Sequence, residues 1–267
     1  MVDGLAINLA TIRQQYDLRG AAEACARHGI THVAPWRDQV AKAGLDEAVR
    51  IIADNGLRVT GLCRGGMFTG PDAAEDNRRA VDEAVALGAD HLVLVVGGLP
   101  QGSHDMPAAR DIVAEGIATL LPYARANGMM LGIEPLHPMY APDRACINTL
   151  AQALDVCDAL GEGIGVVIDT YHLWWDPALL AQIARAGAGK RILAHHISDF
   201  LVPTRDLLND RGMMGDGVID FKAFRAAMVA AGYDGIQEVE IFSTQDWWLR
   251  PGDEVIETCI ERFNRVC

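Results

Sequence analysis

The chain has 267 residues, half of them hydrophobic, and a formal net charge of −13. That length can bury a sizeable core in one undivided α/β barrel, and the acidic balance argues against a nucleic-acid partner, which would call for a basic face. Six cysteines without a C-x-x-C pair read as reduced thiols or small core residues; with no basic leader and no apolar run of membrane-spanning length, a cytoplasmic protein with no membrane partner is expected.

Short apolar runs alternate with Ala-rich stretches of helical period. Eight runs stand out: "GLAINLA" (4–10), "THVAPW" (31–36), "LRVTGLC" (57–63), "HLVLVVG" (91–97), "MLGIEPL" (130–136), "GVVIDT" (165–170), "ILAHHIS" (192–198) and "IQEVEIF" (236–242). Several of the intervening helical stretches end in glycine, at Gly29, Gly56, Gly88, Gly128 and Gly232, which suits the left-handed position just past a helix. Parallel strands need helical crossovers, so eight strand–helix units predict a single (β/α)8 TIM barrel over 1–267, as one domain. An open doubly wound sheet is the alternative, but no G-x-G-x-x-G follows the first run. The connection "DFLVPTRDLLNDRGMMGDGVI" is long for a compact barrel and reads as a lid or binding loop, or as a surface excursion.

Active sites of such barrels form where strands end. The fifth run ends in Glu134, with His137 three residues on; the sixth ends in Asp169, with His172 beyond; the seventh carries His195 and His196; the eighth carries Glu238 and Glu240. A lone acid or histidine would pass as a salt-bridge partner or a core residue. Four adjacent strands delivering such groups to one end weaken that explanation. Converging buried carboxylates must protonate or take a cation, and three oxygens with one imidazole suit a divalent metal, Mn2+ best, with Mg2+, Co2+ or Zn2+ also suitable. Alternation sets His195 and His196 on opposite faces without saying which points inward. It sets Glu238 and Glu240 on one face, with Glu240 nearer the mouth and Glu238 a layer deeper.

"GIEPLH", "VIDTYH", "HHISD", "GDGVIDFKAF" and "EVEIF", in this order, resemble the xylose isomerase-like TIM-barrel superfamily: ketose 3-epimerases, inosose isomerases, hydroxypyruvate isomerases and, more distantly, endonuclease IV. The resemblance covers most of the chain and is strongest from about residue 130 onward. It implies one divalent metal on Glu134, Asp169, His196 and Glu240, the H-x-S-D register selecting His196. It implies Glu134 and Glu240 as proton acceptor and donor, and His172 as a substrate contact. A metal that chelates a carbonyl and a neighbouring hydroxyl polarises the carbonyl and stabilises an enediolate, and a carboxylate on either face then moves the α-proton. A sugar isomerase or epimerase acting on a keto-sugar or keto-polyol is therefore expected.

Position 137 departs from many epimerase-like members, which carry Asn or another polar residue there. This histidine and the aromatic "DWW" also resemble the larger subunit of C-glycoside deglycosidases, lyase-like enzymes on 3-keto sugars with a small partner subunit. In that reading His137 is a catalytic acid/base. Arg64 and Arg211 suit a substrate hydroxyl or carboxylate, with Arg205 more readily explained by the surface. Trp36 and Trp174 suit the apolar face of a sugar, though the doubled tryptophans also suit a subunit contact, so a homo-oligomer is expected. Asp210 and Asp216 in the long loop disfavour a phosphorylated substrate. An endonuclease IV-like phosphodiesterase would need more histidines, a Schiff-base aldolase an interior lysine, and a non-catalytic sugar-binding barrel a degraded set of ligands.

Overall fold

The computed structural model describes residues 2–267. Its strands are β1 (Leu5–Asn8), β2 (His32–Ala34), β3 (Arg58–Val59), β4 (Gly61–Gly66), β5 (His91–Val95), β6 (Met130–Ile133), β7 (Ile164–Asp169), β8 (Ile192–Ile197), β9 (Asp199–Phe200), β10 (Arg211–Gly212) and β11 (Gln237–Val239). All but β9 and β10 pair in parallel in the order β3-β2-β1-β11-β8-β7-β6-β5-β4. The two ends of that order, β3 and β4, are halves of one apolar run broken at Thr60. A parallel bridge from Trp36 to Cys63, with the Cys63 N–H donating to the Pro35 carbonyl at 3.2 Å, draws β2 and β4 together. The result is a nearly closed barrel ringed by helices, as the alternation of runs predicts.

The outer strand faces and the inner helix faces form the main apolar core, with Leu5, Ile7, Leu92, Leu94, Leu131 and Ile133 fully buried. Each such side chain contributes roughly 1.5–3 kcal/mol on leaving water. The five glycines expected after helices all take positive φ, between 65° and 83°. Inside the barrel a second, small cluster of Cys63, Val93, Val167 and Ala194, capped by Trp36, fills the layer below the mouth. Modest side chains there leave the space above them to polar groups. All six cysteines are free thiols, five of them buried. Among the described residues, no helix is long and apolar enough to cross a membrane.

The long connection after β8 is folded onto the barrel. β9 and β10 pair antiparallel, setting Arg211 opposite Phe200. The Asp199 carboxylate accepts the backbone N–H groups of Gly215 at 2.9 Å, Gly217 at 2.8 Å and Ile219 at 3.0 Å. Gly217 must lack a side chain, since a Cβ there would lie 2.2 Å from the Phe200 carbonyl oxygen. The Arg211 N–H donates to the Phe242 carbonyl at 2.8 Å, so the loop carries this arginine back over the mouth.

Candidate metal centre

Strand register decides which side chains meet. Glu238, His196 and Asp169 are paired across β11, β8 and β7, and so project to the same side. Glu240 lies two residues beyond Glu238, again inward. Glu134 follows β6, its N–H on the Leu94 carbonyl at 3.1 Å. Donor atoms of Glu134, Asp169, His196 and Glu240 all lie within 4.8 Å of one another, and all four side chains are buried. His195 points the other way, its ring stacked on Phe224 at 6.3 Å between centroids, which separates the adjacent histidines that alternation alone leaves open.

The electrostatics of this cluster are unfavourable without a cation. Burial pushes the Asp169 and Glu240 carboxyls above the usual carboxylate range, with the charge on Glu134 adding to the effect and Arg211 opposing it. For His196, burial favours the neutral ring, but the charges of Glu238, Glu134 and Glu240 overcome it and hold the imidazole up to about 10. The Nδ1 atom of His196 sits 3.0 Å from Glu134 Oε1, and Nε2 sits 3.4 Å from Glu238 Oε1, without a well-formed hydrogen bond at Nε2. Three carboxylates and an imidazole gathered in this way fit a divalent ion: it offsets their mutual repulsion directly, and the ligand types suit a hard to borderline cation.

Arg211 and His172 stand beside the cluster. Nη1 of Arg211 donates to Glu240 Oε2 at 2.9 Å and to Asp169 Oδ2 at 3.3 Å. Its guanidinium lies 4.6 Å from the Tyr171 ring centre and 4.9 Å from that of Phe242, which fixes its plane. His172 Nδ1 faces the His137 N–H at 3.3 Å, and its Nε2 faces Arg211 Nη2 at 3.2 Å. Burial, with Arg211 next, holds His172 well below the usual imidazole range. A neutral ring has one lone pair for these two donors, so one of them and the ring's own N–H are left without an acceptor here. Arg211 Nε is likewise buried without a partner.

The other residues expected at the site are distributed around this centre. His137 is half-buried, its ring stacked on Phe200 and edge-on to Trp175. Its Nδ1 accepts the Met139 N–H at 3.2 Å, which leaves the ring proton on Nε2, and burial lowers its pKa. Trp36 and Arg64 line a cavity of about 380 Å3 with Cys63. Arg64 has no acidic partner among the described residues, and burial together with nearby Arg144 lowers its pKa. Trp174 packs on Phe200, with the ring centres 5.1 Å apart. Trp247 is core, whereas Trp248 donates its indole N–H to the Ala10 carbonyl at 2.9 Å. Arg205 is taken up by Asp210.

Sequence reasoning missed Asn8. Its Nδ2 donates to Glu238 Oε1 at 2.8 Å and to Glu240 Oε1 at 3.0 Å, while its Oδ1 accepts from Trp36 Nε1 at 2.7 Å and Ala10 N at 3.0 Å. Donors on one side and carboxylates on the other leave one amide orientation. The available signal was a lone amide closing the apolar "LAIN".

A nearly closed parallel barrel that gathers oxygen and nitrogen donors at the C-terminal ends of its strands defines the class of protein. The chain belongs to the xylose isomerase-like TIM barrel family, whose model matches residues 22–265. It is 29% identical over 161 residues to an inosose isomerase of Bacillus velezensis, covering 57% of this chain and 54% of that protein. It is 30% identical over 206 residues to an L-ribulose 3-epimerase of Mesorhizobium japonicum, covering 73% and 65%. It is 28% identical over 255 residues to a 3-dehydroshikimate dehydratase of Pseudomonas putida, covering 88% of this chain and 38% of that one. The chain thus spans between about a third and two-thirds of the length of these relatives, all of which are enzymes. A crystal structure from Sinorhizobium meliloti 1021 superposes with a TM-score of 0.98 at 64% identity, covering 100% of this chain and 99% of that one. The zinc-bound IolI protein superposes at 0.82 with 20% identity, covering 98% and 97%, a likeness of fold.

Proposed function

We propose that the chain is a divalent-metal-dependent isomerase or epimerase of a keto-sugar or keto-polyol. The observation that carries this reading is the convergence of Glu134, Asp169, His196 and Glu240 within 4.8 Å at the barrel mouth, with Arg211 and His172 beside them. These four residues would hold the ion, Mn2+ first among the candidates. Bound there, a divalent ion supplies Lewis-acid polarisation of a substrate carbonyl. The chain's own groups do the rest. Glu134 and Glu240 enter from strands on different sides of the centre and serve as proton acceptor and donor. His172 and Arg211 present hydrogens to substrate oxygens, Trp36 packs against the sugar, and Arg64 reaches a remote polar group from the cavity they share. Trp174 supports the rim. Relatives named as an inosose isomerase and an L-ribulose 3-epimerase support this chemistry for this chain.

A second reading is a lyase or dehydratase, with His137 as acid/base. It is favoured by the His137 ring, which keeps its proton on Nε2 at the edge of the mouth, and by the dehydratase among the relatives. Both readings begin with removal of an α-proton. The test is solvent-deuterium exchange, with and without Mn2+, over ketohexoses, inososes, 3-keto glucosides and 3-dehydroshikimate, with His137→Asn alongside the wild type. Exchange and isomerised product that survive His137→Asn support the isomerase. Exchange that survives while elimination is lost supports the lyase. No metal-dependent exchange into any of these classes would overturn both.

A further inference from the structure

Glu238 is 2% exposed, inside the barrel and below the mouth. Its Oε2 accepts the Thr60 hydroxyl at 2.7 Å, and its Oε1 accepts Asn8 Nδ2 at 2.8 Å. Behind it lies a cavity of about 230 Å3, lined in part by Thr60, Asp90, His91 and Tyr233, with no lysine or arginine in its wall. Among the described residues, no lysine or arginine forms an ion pair with Glu238; the one basic group that meets it is His196, at 3.4 Å through Nε2. A carboxylate this buried needs partners with hydrogens to give. Asn8 and Thr60 already use it as an acceptor on both oxygens, so the third approach, from His196, is also that of a donor to an acceptor.

We propose that Glu238 is a positioning residue for the metal centre: its carboxylate faces Nε2 of His196 at 3.4 Å, and when an ion takes Nδ1 it receives the Nε2–H and so keeps the Nδ1 lone pair turned toward Glu134, Asp169 and Glu240. The inference rests on the metal-dependent reading above. Its geometry is the arrangement by which ligating histidines are commonly oriented, with one ring nitrogen on the ion and the other N–H on a carboxylate. Nδ1 is the nitrogen that faces Glu134 Oε1, at 3.0 Å, and Nε2 is the nitrogen that faces Glu238. Thr60 sits at the break between β3 and β4, and its hydroxyl fixes the far oxygen of Glu238. Asn8 fixes the near oxygen and also touches Glu240, so one amide aligns a ligand and the carboxylate behind another ligand.

The experiment compares the metal-stripped full chain with its Glu238→Gln variant by calorimetric titration with Mn2+ and Zn2+, and by the visible spectrum of the Co2+ form. Removing such a carboxylate weakens metal binding by roughly 10–100-fold. The expected result is that loss in a folded Glu238→Gln protein, with Co2+ bands displaced because the His196 ligand has changed in strength and angle. A structural role alone would lower the melting temperature and leave the bands and the affinity in place. That outcome overturns the inference while the metal reading stands. Wild type that binds none of these ions overturns both. If Glu238→Gln fails to fold, Thr60→Val takes its place: it keeps the carboxylate and removes one hydrogen bond, with an expected weakening of about 2–10-fold. Unchanged affinity in that variant overturns the inference.

Discussion

The two halves of the barrel rim differ in kind. β6, β7, β8 and β11 end in or lead into Glu134, Asp169, His196 and Glu240, all buried and all within reach of one ion. β1, β2 and β4 bring Asn8, Trp36 and Arg64, which are donors and a flat apolar surface, with a cavity of about 380 Å3 between the last two. One half concentrates like charge that Arg211 offsets in part and that a divalent ion would offset further. The other half offers space and neutral or positive donors. Asn8 joins them, with its Nδ2 on Glu238 and Glu240 and its Oδ1 on the Trp36 indole. The difference teaches a division of labour: in the proposed function the charged half would set whether the reaction runs, and the other half what is bound.

The largest effects should follow from the charged half. In the proposed function Glu134→Gln or Glu240→Gln would remove both a donor to the ion and a proton-transfer group, so kcat should fall by roughly 10²–10⁴-fold, the range for loss of general acid–base catalysis. Steady-state kinetics at saturating Mn2+ check this. Losses of similar size from Arg64 variants would break the comparison.

The next effect is the pH dependence of stabilisation by metal. In the metal-free chain the Asp169 and Glu240 carboxyls have raised pKa values. A raised carboxyl contributes stability that is fully present below its unfolded value, about pH 4, and is lost as pH rises through the folded value. A bound divalent ion reverses the sign, because it favours the ionised forms and is displaced by protons. The rise in Tm on adding Mn2+ should therefore grow as pH increases from about 4 toward neutrality, with about 2.7 kcal/mol of stabilisation when the free ion is at 100 times its Kd. Scanning calorimetry at several pH values measures it. A Tm shift that shrinks over that range would place the ion elsewhere.

Arg64→Leu should act on the other half. A charge-assisted hydrogen bond contributes about 1.5–3 kcal/mol, so KM should rise by about 10–100-fold while kcat changes little, the signature of uniform binding. A fall in kcat with KM unchanged would move Arg64 into the chemistry.

The same division explains what could be read from the sequence. An acid placed directly after "LGI" or "GVVI" is conspicuous, because strand ends there are otherwise apolar, so Glu134 and Asp169 are visible as candidates at once, whereas Glu240 is preferred to Glu238 only for lying nearer the mouth. His195 and His196 are equivalent in sequence and become distinct only when β8 is paired with β7 and β11. Arg205 and Arg211 both sit in a polar loop, and only the fold shows Asp210 holding one while the pairing of β9 with β10 delivers the other. Trp247 and Trp248 look alike in the chain, yet the first is core and the second caps a backbone carbonyl. Thr60 reads as an ordinary β-branched strand residue, and its contact with Glu238 spans 178 positions. Long-range partners of neutral polar side chains leave little periodic trace, whereas charge at a strand end does.

The smallest effect should come from the contact that links the halves. Trp36→Phe keeps an aromatic ring in the cavity and removes the indole N–H that Asn8 Oδ1 accepts at 2.7 Å. The same oxygen still accepts the Ala10 N–H at 3.0 Å, and Nδ2 still bonds both glutamates, so the amide keeps its orientation. The loss is one neutral hydrogen bond, about 1 kcal/mol, or several-fold in kcat/KM, and metal affinity should stay near the wild-type value. Titration of the variant with Mn2+, beside its kinetics, separates the two quantities. Near-complete loss of metal binding in Trp36→Phe would mean that the indole supports the ligands themselves, and the rim would then act as one unit.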